Sequence, residues 1–286
     1  QGGFQEVEQM NLFKDMVCYQ EEVRDPSRMA EVLNRVIEKA FRGSAPAQIN
    51  VPRDYWTQVI DIELPPIVRF ERQGGGKEAI ENAAKLLSKA KFPVILSGAG
   101  VVLGGAIDEC KKLAEKLDAP VCNGYQHNDS FPGSHPLAVG PLGYNGSKAA
   151  MELISKADVV LALGTRLNPF STLPGYGIDY WPKKATIIQV DMNPDRIGLT
   201  KKVSVGICGD AKQVAQQILD KLSSDAGNTG REERKNLIHK TKSAWLQTLS
   251  GLDHEEDDPG TVWNKEARER DKDRMSPRQA WRAIQD

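Results

Sequence analysis

Several features that would settle a protein's chemistry at once are missing from this 286-residue chain. Its four cysteines, Cys18, Cys110, Cys122 and Cys208, are far apart, form no C-x-x-C pair and have no histidine beside them. That spacing argues against a zinc ribbon or a disulfide framework, so buried free thiols of a reducing cytoplasm are expected. His127 and His135 share a loop, but no third ligand stands at metal-site spacing, and no metal site is expected from the sequence. No Ser-His-Asp arrangement, H-E-x-x-H or P-loop pattern occurs, and no pair of carboxylates stands out as a general acid and base. No apolar run is long enough to span a bilayer. Lys plus Arg (38) nearly balance Asp plus Glu (39), so no global field recruits nucleic acid or an anionic membrane. No internal repeat is visible. The opening residues, Gln1-Gly2-Gly3-Phe4-Gln5, have neither an initiator methionine nor the apolar core of a signal peptide, so they are expected to continue an upstream segment.

What is present is organised around residues 92–105. The apolar run Pro93-Val94-Ile95-Leu96 ends in Ser97-Gly98-Ala99-Gly100, and Gly104-Gly105 follow. Ile107, Cys110, Leu113, Ala114 and Leu117 then recur at helical spacing. Strand, glycine turn and helix form the opening unit of a doubly wound α/β domain. Glycines let the backbone approach a ligand closely, and a helix N-terminus behind them suits a phosphate. The spacing G-x-G-x-x-x-G is one residue longer than the dinucleotide fingerprint, so a tight turn without a ligand is an equal reading.

The flanks alternate in the same way. Residues 16–19 read as a short strand. Asp25-Pro26-Ser27 starts a helix with Met29, Val32, Leu33, Val36, Ile37, Ala40 and Phe41 on one face. A strand over 45–52 completes β-α-β, too little to bury a core by itself. Pro65-Pro66 and Gly74-Gly75-Gly76 mark a linker over 57–76. From 77 to 222, strands at 93–96, 119–124, 158–164, 185–191 and 203–210 alternate with helices, which predicts a parallel sheet covered on both faces. Residues 124–147 and 168–181 are expected as long functional or interface loops. Residues 223–275 become polar and charged, with a weak helical pattern, and read as a partly helical connector. Ser276-Pro277 opens a last helix. The expected fold is therefore a central doubly wound, Rossmann-like parallel-sheet domain over 77–222, flanked by incomplete pieces of two further α/β domains at 1–56 and 276–286.

Three strand ends carry candidate binding residues, because open α/β sheets bind ligands beyond the carboxyl ends of their strands. Asp191 could accept hydrogen bonds from a ribose diol, or simply form a turn. Asp210 stands where a helix begins and is read as its N-cap. Gly164-Thr165-Arg166 offers Arg166 to a phosphate or carboxylate.

The glycine turn Ser97-Gly98-Ala99-Gly100, the strand before Gly164-Thr165-Arg166, Val190-Asp191-Met192-Asn193-Pro194 and Gly209-Asp210-Ala211 occur in the order seen in thiamine-diphosphate-dependent enzymes. The run 77–222 resembles their central domain. Residues 1–56 resemble the end of their pyrimidine-binding domain, through Gly3-Phe4-Gln5-Glu6 and the stretch 45–54. Residues 276–286 resemble the first helix of their diphosphate-binding domain. Segments 13–20, 124–129, 140–146 and 167–181 are similar to the branch of that family that uses sulfoacetaldehyde and phosphate. The resemblance implies a cytoplasmic acyltransferase that uses thiamine diphosphate and Mg²⁺, yields acetyl phosphate and sulfite, and assembles as a homodimer or homotetramer. An acetolactate-synthase-like carboligase and a non-catalytic nucleotide-binding module are the alternatives.

By the same resemblance, the family's activating glutamate belongs upstream of Gln1, and its Gly-Asp-Gly motif belongs downstream of Asp286. The chain is thus expected to be an internal piece that does not turn over alone, with no catalytic residue and no metal ligand of its own. Phe4, Gln5 and Glu6 are the implied candidates for the cofactor and substrate entrance. Arg166 and the 140–146 loop are weaker ones. Gly98, Gly100, Arg166, Asp191 and Asp210 match the positions where some relatives hold ADP or FAD, so a vestigial nucleotide pocket is an expectation.

Overall fold

The computed structural model describes residues 3, 4, 6–66, 71–253, 283 and 284, with only the backbone of 251–253. The chain divides into two compact units, 1–71 and 72–286.

In the first unit, α1 (Gln9–Phe13) precedes β1 (Tyr19–Glu22), α2 (Met29–Gly43) and β2 (Ala47–Asn50). Asp25 begins the turn into α2 by accepting from the Ser27 N–H at 2.9 Å, with Pro26 supplying a preset φ. Strands β1 and β2 pair in parallel, from Tyr19 opposite Ala47 to Glu22 opposite Asn50. The strand expected over 16–19 begins instead at Tyr19. Met16 N–H is spent on Phe13 O in the turn leaving α1, and only from Cys18, which donates to Pro46 O, does the chain meet its neighbour. Val23, Val32 and Val36 form a small core, while Leu33, Ile37 and Phe41 on the same helix remain exposed. Two strands cover too little of α2's apolar stripe.

The second unit opens with α3 (Lys77–Lys89), whose Ile80, Ala83, Ala84 and Leu87 are buried as the period predicts. Then follow β3 (Pro93–Ser97), α4 (Ala99–Leu103), α5 (Ile107–Leu117), β4 (Val121–Asn123), β5 (Ala138–Pro141), α6 (Lys148–Ile154) and β6 (Val159–Leu163). The unit continues through β7 (Thr186–Asp191), β8 (Val205–Cys208), α7 (Ala211–Lys221) and α8 (Arg231–Asp253). The six strands lie in the order β5-β4-β3-β6-β7-β8, and every pairing is parallel. This is the doubly wound order, reversing between β3 and β6. These two strands are buried at every position, which is why both read as unbroken apolar runs.

Three expectations are corrected here. The glycine turn opens the five-residue α4 rather than the amphipathic helix, which starts only after Gly104-Gly105. The 124–147 loop contains β5, a short edge strand whose Gly140 and Pro141 hide it from propensity. Residues 72–76, expected as linker, are fastened to the sheet edge: Asp210 N donates to Gln73 O at 2.8 Å, and Gln217 Nε2 donates to Gly74 O at 2.8 Å. The helical pattern expected within the 223–275 connector is α8, 23 residues long, with Arg234 and Ile238 buried. The expected terminal helix falls outside the described residues except for Ala283 and Ile284, which are helical and exposed.

All four cysteines are free, with Cys110 and Cys122 buried. Burial pushes the Cys110 thiol up to about 12 and raises the Cys122 thiol as well. No helix among the described residues is long and apolar enough to cross a membrane.

Candidate functional site: the carboxyl edge of the central sheet

At the point where the strand order reverses, the turns leaving β3 and β6 pack backbone against backbone. Gly98 N donates to Leu163 O at 3.1 Å, and Gly100 N donates to Gly164 O at 2.8 Å. A Cβ on Gly98 would lie 2.6 Å from both Gly164 O and Thr165 Cβ, and one on Gly100 would lie 2.7 Å from Gly164 Cα. The side chains are absent because two main chains need the space, and two of the turn's N–H groups already have carbonyl partners.

The turn after β6 is pinned from the next strand. Gln189, buried in β7, donates through Nε2 to Thr165 O and to Arg196 O, both at 3.1 Å, and its Oε1 accepts from Gly198 N at 2.8 Å. One side-chain amide thus ties the β6 turn, carrying Arg166, to the β7 crossover loop, carrying Arg196. Leu167 is held at φ +54°, its N–H on Thr165 Oγ1 (3.2 Å) and its carbonyl accepting from Thr200 Oγ1 (2.6 Å). Arg166 is exposed and Arg196 half-buried.

The acids at the next two strand ends have local partners. Asp191 Oδ1 accepts from Asn193 N at 2.9 Å, the turn-forming arrangement of an aspartate. Asp210 Oδ1 caps α7 by accepting from Lys212 N and Gln213 N at 3.1 and 3.2 Å. Its Oδ2 meets Arg72 Nη1 at 3.3 Å, and the same nitrogen donates to Gly104 O. The chain's own Arg72 therefore lies between the α4–α5 turn and the start of α7.

A third group of residues rims this edge. The 140–146 loop is fixed by Tyr180, buried beneath it, whose hydroxyl accepts from Gly143 N (3.3 Å) and donates to Leu173 O (3.0 Å). Burial pushes that phenol up to about 12. At the loop tip Tyr144 stacks on Tyr125 at 6.2 Å, and Phe170 meets both rings edge-on. On the opposite side of the unit, a groove of about 540 Å³ between α8 and the segment before β5 is lined by His135, Leu137, Ile238, Lys242 and Leu246.

The fold thus gathers Gly98, Gly100, Arg166, Asp191 and Asp210 along one edge. Phe4 and Glu6 belong to the first unit, where Glu6 accepts from Gly3 N at 3.0 Å and Phe4 is almost fully exposed. Gln5 lies outside the described residues. No group of three or more His, Cys, Asp or Glu among the described residues could hold a metal ion. Sequence reasoning passed over Gln189, Arg72 and Tyr180. Only Gln189 left a usable signal: a polar residue inside the apolar run Ile187-Ile188-Gln189-Val190 must find partners.

This strand order and its glycine joint define a Rossmann-like module, and residues 80–218 match the family described as thiamine pyrophosphate enzyme, central domain. This chain thus carries that family's central domain over residues 80–218. It is 79% identical, over its whole length and 48% of the relative's, to a probable sulfoacetaldehyde acetyltransferase of Rhizobium meliloti (strain 1021). It is 33% identical, over 87% of this chain and 41% of the relative, to a probable acetolactate synthase large subunit of Methanocaldococcus jannaschii. The crystal structure of benzoylformate decarboxylase from Polynucleobacter necessarius shares the fold, with a TM-score of 0.66 at 22% identity over 78% of this chain and 42% of that one. The chain spans about half the length of the curated relatives it matches.

Proposed function

We propose that the chain is the central part of an enzyme that converts sulfoacetaldehyde and phosphate into acetyl phosphate and sulfite with thiamine diphosphate and Mg²⁺. The carrying observation is identity: 79% over the whole chain to a relative named for sulfoacetaldehyde, against 33% to one named for acetolactate synthesis. Thiamine diphosphate supplies the electron sink that such carbon chemistry needs. The described residues do not fit that cofactor by themselves. They include no acidic cluster for Mg²⁺, and Gly100 N–H is spent on Gly164 O. No step is therefore assigned to this chain's side chains, and the isolated chain is expected to release no sulfite.

We further infer that Gly98, Gly100 and Asp210 serve as a packing joint and a helix cap rather than as an ADP or FAD cradle. Their short backbone contacts and local hydrogen bonds support this reading. The complete protein is proposed to be cytoplasmic and a homodimer or homotetramer, which light scattering would test.

The deciding experiment offers the complete protein sulfoacetaldehyde with phosphate, and separately pyruvate. Sulfite and acetyl phosphate are the expected products. Acetolactate from pyruvate with no sulfite from sulfoacetaldehyde would overturn the proposal.

A further inference from the structure

In the groove between α8 and the segment before β5, one lysine differs from most others in the protein. Lys111, Lys148, Lys183, Lys212, Lys221 and Lys235 each pair with an acid. Lys242 is half-buried and forms no ion pair among the described residues. Its Nζ donates instead to two neutral carbonyls, Pro136 O at 2.7 Å and His135 O at 3.3 Å. The acids that line the groove are engaged elsewhere. Glu115 meets His135 Nε2 at 3.2 Å, and Asp118 meets Arg231 at 2.6 Å and Lys235 at 3.8 Å. Burial therefore lowers the Lys242 pKa with no carboxylate to oppose it. An uncharged amine has two N–H donors and one lone pair. The two carbonyls take both donors, so the lone pair is left without a hydrogen bond, at the wall of a cavity of about 540 Å³.

We propose that Lys242 is a modification site, acetylated directly by an acyl phosphate, and that in the complete protein this reagent is the acetyl phosphate of the proposed reaction. The uncharged Nζ attacks the acetyl carbonyl carbon. An N–C bond forms, the C–O bond to phosphorus breaks on the carbon side, and inorganic phosphate leaves with the proton that the nitrogen gives up. No oxidant or reductant is needed. Lys235 and His239 line the same groove and offer donors to the phosphate end of the reagent. The product stays satisfied. The new amide keeps one N–H for Pro136 O, and His135 O still accepts from Ala138 N at 2.9 Å. Its methyl group adds to an apolar wall of Leu137, Ile238 and Leu246, and a partly desolvated charge is removed. The source of the acetyl group rests on the reaction read above. The site itself rests on the groove.

The test incubates the complete protein with added acetyl phosphate and follows each lysine by peptide mass spectrometry. Lys183 is the internal reference, since it is exposed and Asp179 holds it protonated at 2.6 Å. Lys242 should be acetylated about fivefold faster than Lys183 or more. Equal or slower acetylation of Lys242 overturns the site. Leu246→Glu, at an exposed position one helical turn beyond Lys242, supplies the missing carboxylate. With its melting temperature unchanged, this variant should slow Lys242 towards the Lys183 rate and leave Lys183 as it was. An undiminished Lys242 rate in Leu246→Glu also overturns the proposal. A second incubation replaces the reagent with sulfoacetaldehyde and phosphate. Acetyl phosphate released with Lys242 acetylated supports the full proposal, and acetyl phosphate released with Lys242 unmodified overturns self-acetylation. If no acetyl phosphate is released while the added reagent still modifies Lys242, the reading of the reaction fails and the site stands.

Discussion

Arg234 Nη2 donates to Leu117 O at 2.9 Å, in the last turn of α5, although Arg234 is 1% exposed and lies on α8. Its other four N–H groups reach the carbonyls of Asp118, Lys91, Thr229 and Gly227. All five donors of the guanidinium are thus used, on carbonyls that include the orphan acceptors of a helix C-terminus, where a cation is favoured. Burial lowers the Arg234 pKa without discharging the group. Arg234→Met leaves these carbonyls buried and unpaired and should cost about 3 kcal/mol or more. Arg234→Lys, with three donors, should lose less. Urea denaturation followed by circular dichroism measures both, and equal midpoints for Arg234→Met and the parent would contradict the assignment.

The glycine turn predicts a different outcome. Gly100→Ala places a methyl group 2.7 Å from Gly164 Cα, which only backbone movement can relieve. A loss of about 2 kcal/mol is expected. Gly133→Ala meets nothing within 4 Å and should stay within about 0.5 kcal/mol of the parent. Thermal melts of the two variants give the comparison, and the expectation fails if both melt alike.

Acid should weaken the first unit. The Arg28 hydrogen bonds, with help from Arg35, hold Glu31 down to about 2 from an ordinary 4.5. Hydrogen bonds from Arg35 and then Tyr19 lower Glu21. A depressed carboxylate stabilises the fold fully above its unfolded value, and that contribution fades as pH falls through the folded value. Stability of residues 1–71 should therefore drop as pH falls from about 4.5 towards 2, and Glu31→Gln should flatten the slope. Urea midpoints measured at about pH 5 and about pH 3 would show it. A slope in Glu31→Gln as steep as in the parent would rule the Arg28–Glu31 pair out as its source.

Much of this was legible beforehand, for a physical reason that the particular residues make plain. Ile80, Ala83, Ala84 and Leu87 repeat at the helical period, and Val159–Leu163 is apolar without a break, because each pattern reports a local burial environment. β5 was not legible, since Ala138-Val139-Gly140-Pro141 carries two residues that strands avoid and is held by pairing with β4. α8 was only half legible. Its polar face is long, and what anchors it is a charged residue that a hydrophobic pattern counts as exposed.

The alternation of strands and helices, the two-sided burial of β3 and β6, and the resemblance to thiamine-diphosphate-dependent enzymes could all be read from the amino-acid sequence. These follow from periodicity and from motif order, which are properties of neighbours along the chain. Only the tertiary structure decided what the motif residues touch. Gly98 and Gly100 face the backbone of Gly164, Asp210 faces Arg72, and Gln189 binds two loops that lie 24 and 7 residues away from it in opposite directions. Those partners are set by strand order in the sheet, and no local pattern in the chain encodes them.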